Sequence, residues 1–234
     1  MECMQTWYQT TLGQHVLADE QAQVESILAD KFGYYLVEFS NMELYTFGHL
    51  SPITYKYYVK FKTDTTIKSD GLIAELDAFP FIPDSLDCII LPHVLEFTKN
   101  PELILKEAWQ SLRPNGYLLL LTFNPYSLMG IYKKIKQDKT FPFTGTYYSY
   151  RKLFAMLKSC DFHIDESAHC NFDLPFETKN RLKKHKLWLA LAQLALPNSA
   201  NVNIILARKE VGGITPIRFK WVKKATAAKV GSVT

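Results

Sequence analysis

Residues 86–123, LDCIILPHVLEFTKNPELILKEAWQSLRPNGYLLLLTF, contain the pattern that decides the fold. The runs 86–91 and 117–123 are short and apolar, which is typical of strands buried on both faces of a parallel sheet. Between them, Asn100 and Pro101 stand where a helix N-cap and a first helical residue belong, and a turn sequence follows the helix. A strand, a helix and a second strand at this spacing predict a βαβ unit with parallel strands and a right-handed crossover.

The same alternation of strand and helix patterns continues on both sides of this unit. Apolar residues at helical spacing predict a helix over 14–32 that ends at Gly33. The other expected elements are strands at 34–39 and 54–61, a helix capped by Ser149, a strand near 162–166, an amphipathic helix at 186–196 and a final strand at 201–207. This order predicts an open α/β sheet with helices on both faces, whose ligands bind at the carboxyl ends of the strands.

The composition is that of one globular domain. The chain has 234 residues, of which 47% are apolar and 21% are charged, and this length is enough for one sizeable core. No signal-peptide pattern opens the chain, and its longest apolar runs fall well short of the ~20 residues that cross a bilayer. The four cysteines form no Cys-x-x-Cys pair, so we expect free thiols and a soluble, cytoplasmic protein.

Two basic segments stand out against the mild net charge of +4. One lies between residues 179 and 186, and the other lies between 218 and 229 and contains no acid. Solvated faces or a loose tail explain such runs more simply than a binding surface does, so we expect only weak contact of the tail with polyanions. Two Cys and two His residues lie close together between 160 and 170, but the elements between them argue against converging ligands, and no metal site is predicted.

Several motifs in residues 75–123 occur in one order without gaps. They are Phe79-Pro80-Phe81, Leu86-Asp87, Pro92-His93-Val94-Leu95-Glu96-Phe97, Asn100-Pro101 with Leu105-Lys106-Glu107, and Leu112-Arg113-Pro114-Asn115-Gly116-Tyr117-Leu118. In this order the segment resembles the methyltransferase type 11 family of class I adenosylmethionine-dependent enzymes. A bacterial subgroup is similar at further motifs, beginning near Trp7, so that the resemblance extends over nearly all of the chain up to about residue 209. It implies a doubly wound, mostly parallel, seven-stranded, Rossmann-like sheet that binds S-adenosylmethionine.

The loop after the first predicted strand departs from that family. Ordinary members follow the strand with an acid and a Gly-x-Gly-x-Gly loop, whose glycines let the backbone approach the donor. Glu38 keeps the acidic position, which the resemblance assigns to the donor's charged amino group, but Ser40, Met42 and Leu44 replace the glycines. Because the Met42 side chain would fill space that the donor normally occupies, we expect donor binding to be weak or absent.

The acids that would hold the ribose and the adenine are harder to place. After the second predicted strand, Asp64 is the carboxylate nearest to the position of the family's ribose acid. Glu75 matches the acid on the adenine side, with Asp77 as the alternative alignment. The candidate cofactor-binding residues are therefore Glu38, Ser40, Met42, Asp64, Glu75 and Asp77.

Two polar residues at strand ends are the candidates for catalysis on the acceptor side. His93 follows the strand at 86–91, where a substrate or base role competes with a packing role. Asn124 follows the next strand and either bonds a substrate or caps the turn before Pro125. Aromatic residues in the insertion 126–148 either form a lid-like cover over an apolar acceptor or pack on the sheet.

Two functions remain open from the sequence. The first is methyl transfer from S-adenosylmethionine to an unidentified acceptor by a domain of residues 1–209, in which 1–33 are an N-terminal helical segment. The alternative is a catalytically inactive, methyltransferase-like binding or scaffold protein with an eroded donor site. In either case residues 210–234 are expected to be a basic tail that contributes little to the core.

Overall fold

The computed structural model describes residues 6–40, 46–61, 72–75, 78–136, 145–172 and 199–211. The strands in this part of the chain are β1 Tyr35–Phe39, β2 Tyr55–Phe61, β3 Leu72–Ala74, β4 Leu86–Pro92, β5 Leu112–Phe123, β6 Phe162–Cys170 and β7 Val202–Lys209. Its longer helices are α1 Thr11–Leu28, α2 Pro101–Ser111, α3 Leu128–Lys136 and α4 Tyr150–Ser159, and a 3₁₀ turn spans Leu95–Phe97. The predicted amphipathic helix at 186–196, both basic segments and the tail from residue 212 lie outside the described residues.

The strands of the described residues form one seven-stranded sheet in the order β3-β2-β1-β4-β5-β7-β6. The pairs among β1 to β5 are parallel, whereas β7 runs antiparallel to both of its neighbours. The chain builds outward from β1 to β3 and then returns to the other side of β1 for β4 and β5, so the loops that leave β1 and β4 diverge. A ligand crevice belongs at this switch point. The predicted doubly wound sheet is confirmed, and β1, β4 and β5 are neighbours as predicted.

Apolar side chains cover both faces of the sheet. All seven residues of β4 are buried, as expected for a central parallel strand. On one face α1 packs on the sheet through residues such as Val24, which lies in one cluster with Leu36 and Ile204. On the other face α2 and α4 contribute residues such as Ile104 and Leu153 to a second cluster. The two clusters hold the central strands between layers of helices.

The helix ends agree with the predicted capping at some positions and differ at others. Ser149 caps α4 as predicted, accepting a hydrogen bond from the Lys152 N–H at 3.4 Å. Asn100 is the N-cap residue of α2 and Pro101 its first residue, as predicted, although the Asn100 side chain makes no capping hydrogen bond. The first helix ends at Leu28 rather than at residue 32, so Gly33 does not terminate it.

Strand β5 is longer than predicted, because it begins at Leu112 and includes the expected turn at 113–116. The register of β5 against β4 shows how the turn sequence and the apolar run fit into one strand. Leu86 pairs with Leu112, but Cys88 pairs with Tyr117, so β5 bulges between these pairs. Asn115, inside this bulged segment, has a left-handed φ of 64°.

Within the described ranges, no helix has the length and apolarity that crossing a bilayer demands. Within the same ranges, no group of three or more His, Cys, Asp or Glu side chains is arranged to hold a metal ion. Of the residues weighed as zinc ligands, His169 bonds Asn203 through its ring at 3.0 Å, and Cys160 and Cys170 are buried free thiols.

Candidate functional site

Three of the candidate residues follow neighbouring strands at one edge of the sheet. Ser40 comes directly after β1, His93 after β4 and Asn124 after β5. Their backbone amides continue the strand pairing, since His93 donates to the Leu121 carbonyl at 2.8 Å and Ser40 to the Val59 carbonyl at 2.9 Å. Because the carboxyl ends of parallel strands meet at one edge, the fold brings these three positions to the predicted ligand edge.

Glu38 lies one residue before the end of β1, and its side chain is fully buried. Its carboxylate accepts hydrogen bonds from the N–H groups of Phe47 and Gly48, the shortest of them at 2.9 Å. Burial raises the pKa of Glu38 to about 7, although the two amides oppose this shift. In this structure the carboxylate holds the loop backbone, and the expected contact of Glu38 with the donor's amino group stays a prediction.

That loop, residues 46–48, is packed tightly against the sheet. A Cβ atom on Gly48 would lie 2.8 Å from a methyl group of Leu36 and 3.0 Å from one of Ile90. Phe47 is buried in the same apolar cluster as these residues. The loop after β1 thus depends on a glycine, but on one that comes after the expected glycine positions and serves close packing.

Of the remaining cofactor candidates, only Glu75 and Ser40 lie within the described residues. Glu75 follows β3 and forms an isolated antiparallel bridge with Ala78, with an exposed position at the rim of the sheet. Ser40 is half-buried. Met42, Asp64 and Asp77 lie outside the described residues.

His93 is buried and has an unusual backbone conformation, with a left-handed φ of 53°. Its Nε2 lies 3.0 Å from a carboxylate oxygen of Glu20, and its Nδ1 lies 3.2 Å from one of Glu96. Burial alone lowers the pKa of His93, but the two carboxylates outweigh burial and raise it to about 9. At neutral pH His93 is therefore an imidazolium held between two acids, which fits a positioning role; the substrate or base role weighed from the sequence stays a prediction.

Glu20 is a member of this site that the sequence analysis missed. It lies on the buried face of α1 between Val16 and Val24, and its second carboxylate oxygen accepts the Tyr8 hydroxyl at 2.8 Å. Burial and Glu20 together raise the pKa of Tyr8 well above its usual value, so the hydroxyl stays a donor. An acid inside an apolar helical stripe was the available signal, because a buried carboxylate needs a partner.

Glu96, in the 3₁₀ turn after β4, is the second missed member. One carboxylate oxygen bonds both His93 and the Phe123 N–H, the latter at 2.8 Å. The other oxygen, Oε2, is buried and has no hydrogen-bond partner in the described part of the chain. The Glu96 carbonyl also accepts the Thr146 N–H at 2.8 Å, so the segment 145–148 is tied over this turn.

Asn124 is buried and caps the turn that follows β5. Its side-chain oxygen accepts the Tyr126 N–H at 3.0 Å, and its side-chain N–H donates to the Ala200 carbonyl at 3.0 Å. Of the two roles weighed from the sequence, the geometry favours capping over the catalytic role. The side chain also ties the end of β5 to the residues that lead into β7.

In the described part of the aromatic insertion 126–148, Tyr147 packs on the sheet edge, whereas Tyr126 is exposed. Tyr147 stacks on Phe123 with ring centroids 5.4 Å apart, and Phe123 stacks on the His93 ring at 4.0 Å. The Lys133 ammonium lies 3.9 Å from the centre of the Tyr147 ring. Residues 137–144 lie outside the description, so a lid-like cover stays an expectation.

Comparison of the sequence with known families and proteins gives partial matches. Residues 54–120 match the family described as a methyltransferase domain. Protein YafS of Escherichia coli K12 is 27% identical over 103 residues, which are 42% of this chain and 43% of YafS. Protein MJ1123 of Methanocaldococcus jannaschii is 28% identical over 92 residues, 39% of this chain and 45% of that protein. The matched segments thus span less than half of each of these relatives.

Solved structures resemble the chain over most of its length, at low identity. A methyltransferase in complex with the Haloferax volcanii Trm112 activator has a TM-score of 0.58 and 13% identity, covering 86% of this chain and 92% of that one. An adenosylmethionine-dependent methyltransferase from Thermotoga maritima has a TM-score of 0.56 and 14% identity, covering 88% and 100%. A geranyl diphosphate methyltransferase in complex with adenosylmethionine has a TM-score of 0.53 and 12% identity, covering 81% and 85%. The chain therefore has the Rossmann-like fold of adenosylmethionine-dependent methyltransferases and resembles their type 11 family.

Proposed function

We propose that this chain transfers a methyl group from S-adenosylmethionine to an acceptor, with the donor at the carboxyl ends of β1 and β4. One observation carries this proposal. The sheet order places the switch point between β1 and β4, and the crevice beside such a point is where doubly wound folds bind their ligands. The match of residues 54–120 to a methyltransferase domain supports the reaction class.

The residues present fit the donor in part. Ser40, at the end of β1, would lie under the methionine end, and Glu75 would lie near the adenine. Glu38 contributes indirectly by fixing the Phe47 and Gly48 amides. When bound, the donor supplies an electrophilic sulfonium methyl, so the chain itself has to position the acceptor and exclude water. No strong base is required for that task.

Titration calorimetry with adenosylmethionine tests the proposal through substitutions in the loop after β1. Met42→Gly should tighten binding, because glycine takes the place of a large side chain at a position where the family has glycine, and it adds backbone freedom. Asn41→Gly adds the same freedom without removing a large side chain, so it serves as the matched control and should leave affinity nearly unchanged. Glu38→Gln should weaken binding by about 1.5–3 kcal/mol, because it replaces a charge-assisted acceptor of the loop amides.

The alternative proposal is an inactive, methyltransferase-like binding or scaffold protein. It is supported by Glu38, whose carboxylate is fully buried and engaged by the loop 46–48, and by the replaced glycines at Ser40 and Met42. Under this alternative, neither adenosylmethionine nor adenosylhomocysteine binds at millimolar concentration, and Met42→Gly changes nothing. The same titrations therefore separate the two functions.

We also infer a cytoplasmic setting. Cys88, Cys160 and Cys170 are buried free thiols, which suits a reducing compartment. Cell fractionation tests this inference: the protein should be found in the cytoplasmic fraction.

A further inference from the structure

We propose that Glu96 is the anionic centre of a subsite for an organic cation. The cation is either the sulfonium group of the donor or the ammonium group of an amine acceptor. Assigning it to donor or acceptor rests on the proposed function, whereas the binding of a cation as such does not. The subsite lies where β4 and β5 end, beside His93 and Phe123.

The first observation is the buried oxygen Oε2 of Glu96. Its neighbour on the same carboxylate, Oε1, is fixed by the Phe123 N–H at 2.8 Å and by the His93 ring at 3.2 Å. The side chain is 1% exposed, and Oε2 has no hydrogen-bond partner among the described residues. Because a buried charged oxygen without a partner is costly, this atom marks a position for a donor group that a ligand brings.

The second observation is the sign of the charge at this place. Two carboxylates, those of Glu20 and Glu96, face one imidazolium, that of His93, so one negative charge is left over. Tyr8, which faces Glu20, contributes only a neutral hydroxyl. Burial lowers the pKa of Lys133, on α3, and the nearby charge of Glu96 raises it to a smaller extent. No ion pair within 4.0 Å joins Lys133 to Glu96 in the described residues, and its ammonium donates to the Gly145 carbonyl instead.

The third observation is the aromatic wall beside Glu96. Tyr147 already holds an alkylammonium group, since the Lys133 ammonium lies 3.9 Å from the centre of its ring. Gly145, which accepts from Lys133, packs against Glu96 so closely that a Cβ atom there would lie 2.5 Å from the Glu96 carbonyl oxygen. A carboxylate beside stacked aromatic rings is the chemistry that recognises organic cations.

Titration calorimetry of the wild-type protein tests the subsite in two arms. The donor arm compares adenosylmethionine, a cation, with adenosylhomocysteine, a neutral thioether. The acceptor arm compares butylammonium with butan-1-ol, which has the same chain length but no charge. The cation should bind about tenfold tighter or more in at least one arm. Cation and neutral partner behaving alike in both arms would overturn the proposal.

The acceptor arm needs no donor, so it separates failure of the subsite from failure of the proposed function. If neither adenosine compound binds but butylammonium is preferred over butan-1-ol, the subsite stands and the methyl-transfer proposal fails. If adenosylmethionine and adenosylhomocysteine bind equally and the acceptor arm shows no preference, the subsite fails while the donor site stands.

Two variants show which carboxylate gives the preference for the cation over its neutral partner. Glu96→Gln keeps the shape and removes the charge, so the preference for the cation should disappear. Glu20→Gln is the matched control, because it removes the same unit of charge beside the same His93 ring but leaves Oε2 of Glu96 in place, whereas both oxygens of Glu20 already have partners; it should lose clearly less of the preference than Glu96→Gln does. Equal loss in both variants would contradict a role specific to Glu96. Circular dichroism checks folding, and the wild-type arms decide the matter if Glu96→Gln does not fold.

Discussion

At the residue scale, the contact most distant in sequence among the buried ionisable groups described above is the one between His93 and Glu20. His93 and Glu20 are 73 residues apart and meet at 3.0 Å. Their contact ties helix α1 to the end of β4, on the same edge as the candidate site. Burial makes such contacts matter, because an unpaired charge in the interior is far more costly than one at the surface.

The raised pKa values of His93 and Glu38 predict how stability depends on pH. His93 has a pKa of about 9, above its ordinary 6.5, so the stability it contributes is complete below pH 6.5 and is lost as pH rises to 9. Glu38 has a pKa of about 7, above 4.5, so its contribution is lost as pH rises from 4.5 to 7. Urea unfolding at a series of pH values should therefore show falling stability across both windows.

Substitutions assign these two windows. His93→Gln should lower stability overall by about 3–5 kcal/mol, since it leaves two buried acids without a cation. It should also remove the decline between about pH 7 and 8.5 while the decline at lower pH persists. Glu38→Gln should remove the decline in stability between about pH 4.5 and 7 and should leave the decline above pH 7 in place. An unchanged slope above pH 7 in His93→Gln would show that His93 is not charged in the folded state.

At the scale of elements, Asp87 connects three parts of the fold. Its carboxylate at the start of β4 accepts the N–H groups of Tyr34 and Tyr35, at 2.9 and 2.8 Å, just before and within β1. It also pairs with Arg113 in β5. Gly33 must be a glycine here, since a Cβ atom would lie 2.5 Å from the Asp87 carboxyl carbon. These contacts give Asp87 a structural role at the start of β4.

Replacing Asp87 therefore predicts a large loss of stability. Asp87→Asn keeps the size of the side chain but removes the charge that holds two amides and a guanidinium, so we expect a loss of about 2–4 kcal/mol in urea unfolding. Asp165→Asn is the control, because Asp165 pairs with Arg208 at the surface; it should cost about 1 kcal/mol or less. Similar small losses in both variants would contradict the account.

Local patterns explain why much of the element layout could be predicted. The central strands β1, β4 and β5 each contain a short apolar run, and Ser149 is a strong N-cap, so each signal is contained in a few neighbouring residues. The bulge in β5 could not be read in this way, because it depends on pairing with Leu86 in another strand. Turn chemistry at 113–116 was therefore placed between elements rather than inside a strand.

The candidate site was predicted less completely for the same reason. Its position at the ends of β1 and β4 follows from the order of strands and helices. The Glu20 partner of His93 does not, because Glu20 reaches the ring only through packing of α1 against the sheet. Likewise, nothing local to Glu38 shows that Gly48 folds back onto its carboxylate.

At the scale of the whole molecule, the parts of the candidate site come from separate regions around one edge. Helix α1 contributes Glu20, the turn after β4 contributes His93 and Glu96, and the segment after α3 contributes Tyr147. The loop after β1 closes on Glu38 at the same edge. The central claim of this account is that a methyl donor binds there, over Ser40 between the ends of β1 and β4.

A crystal structure of the chain with adenosylhomocysteine tests that claim most directly. We expect the homocysteine end to lie over Ser40, next to the loop fixed by Glu38, and the adenine to point towards Glu75. Crystals grown at millimolar adenosylhomocysteine that show no ligand at the ends of β1 and β4, with the Phe47 and Gly48 amides still on Glu38, would contradict the claim and support the inactive, methyltransferase-like alternative.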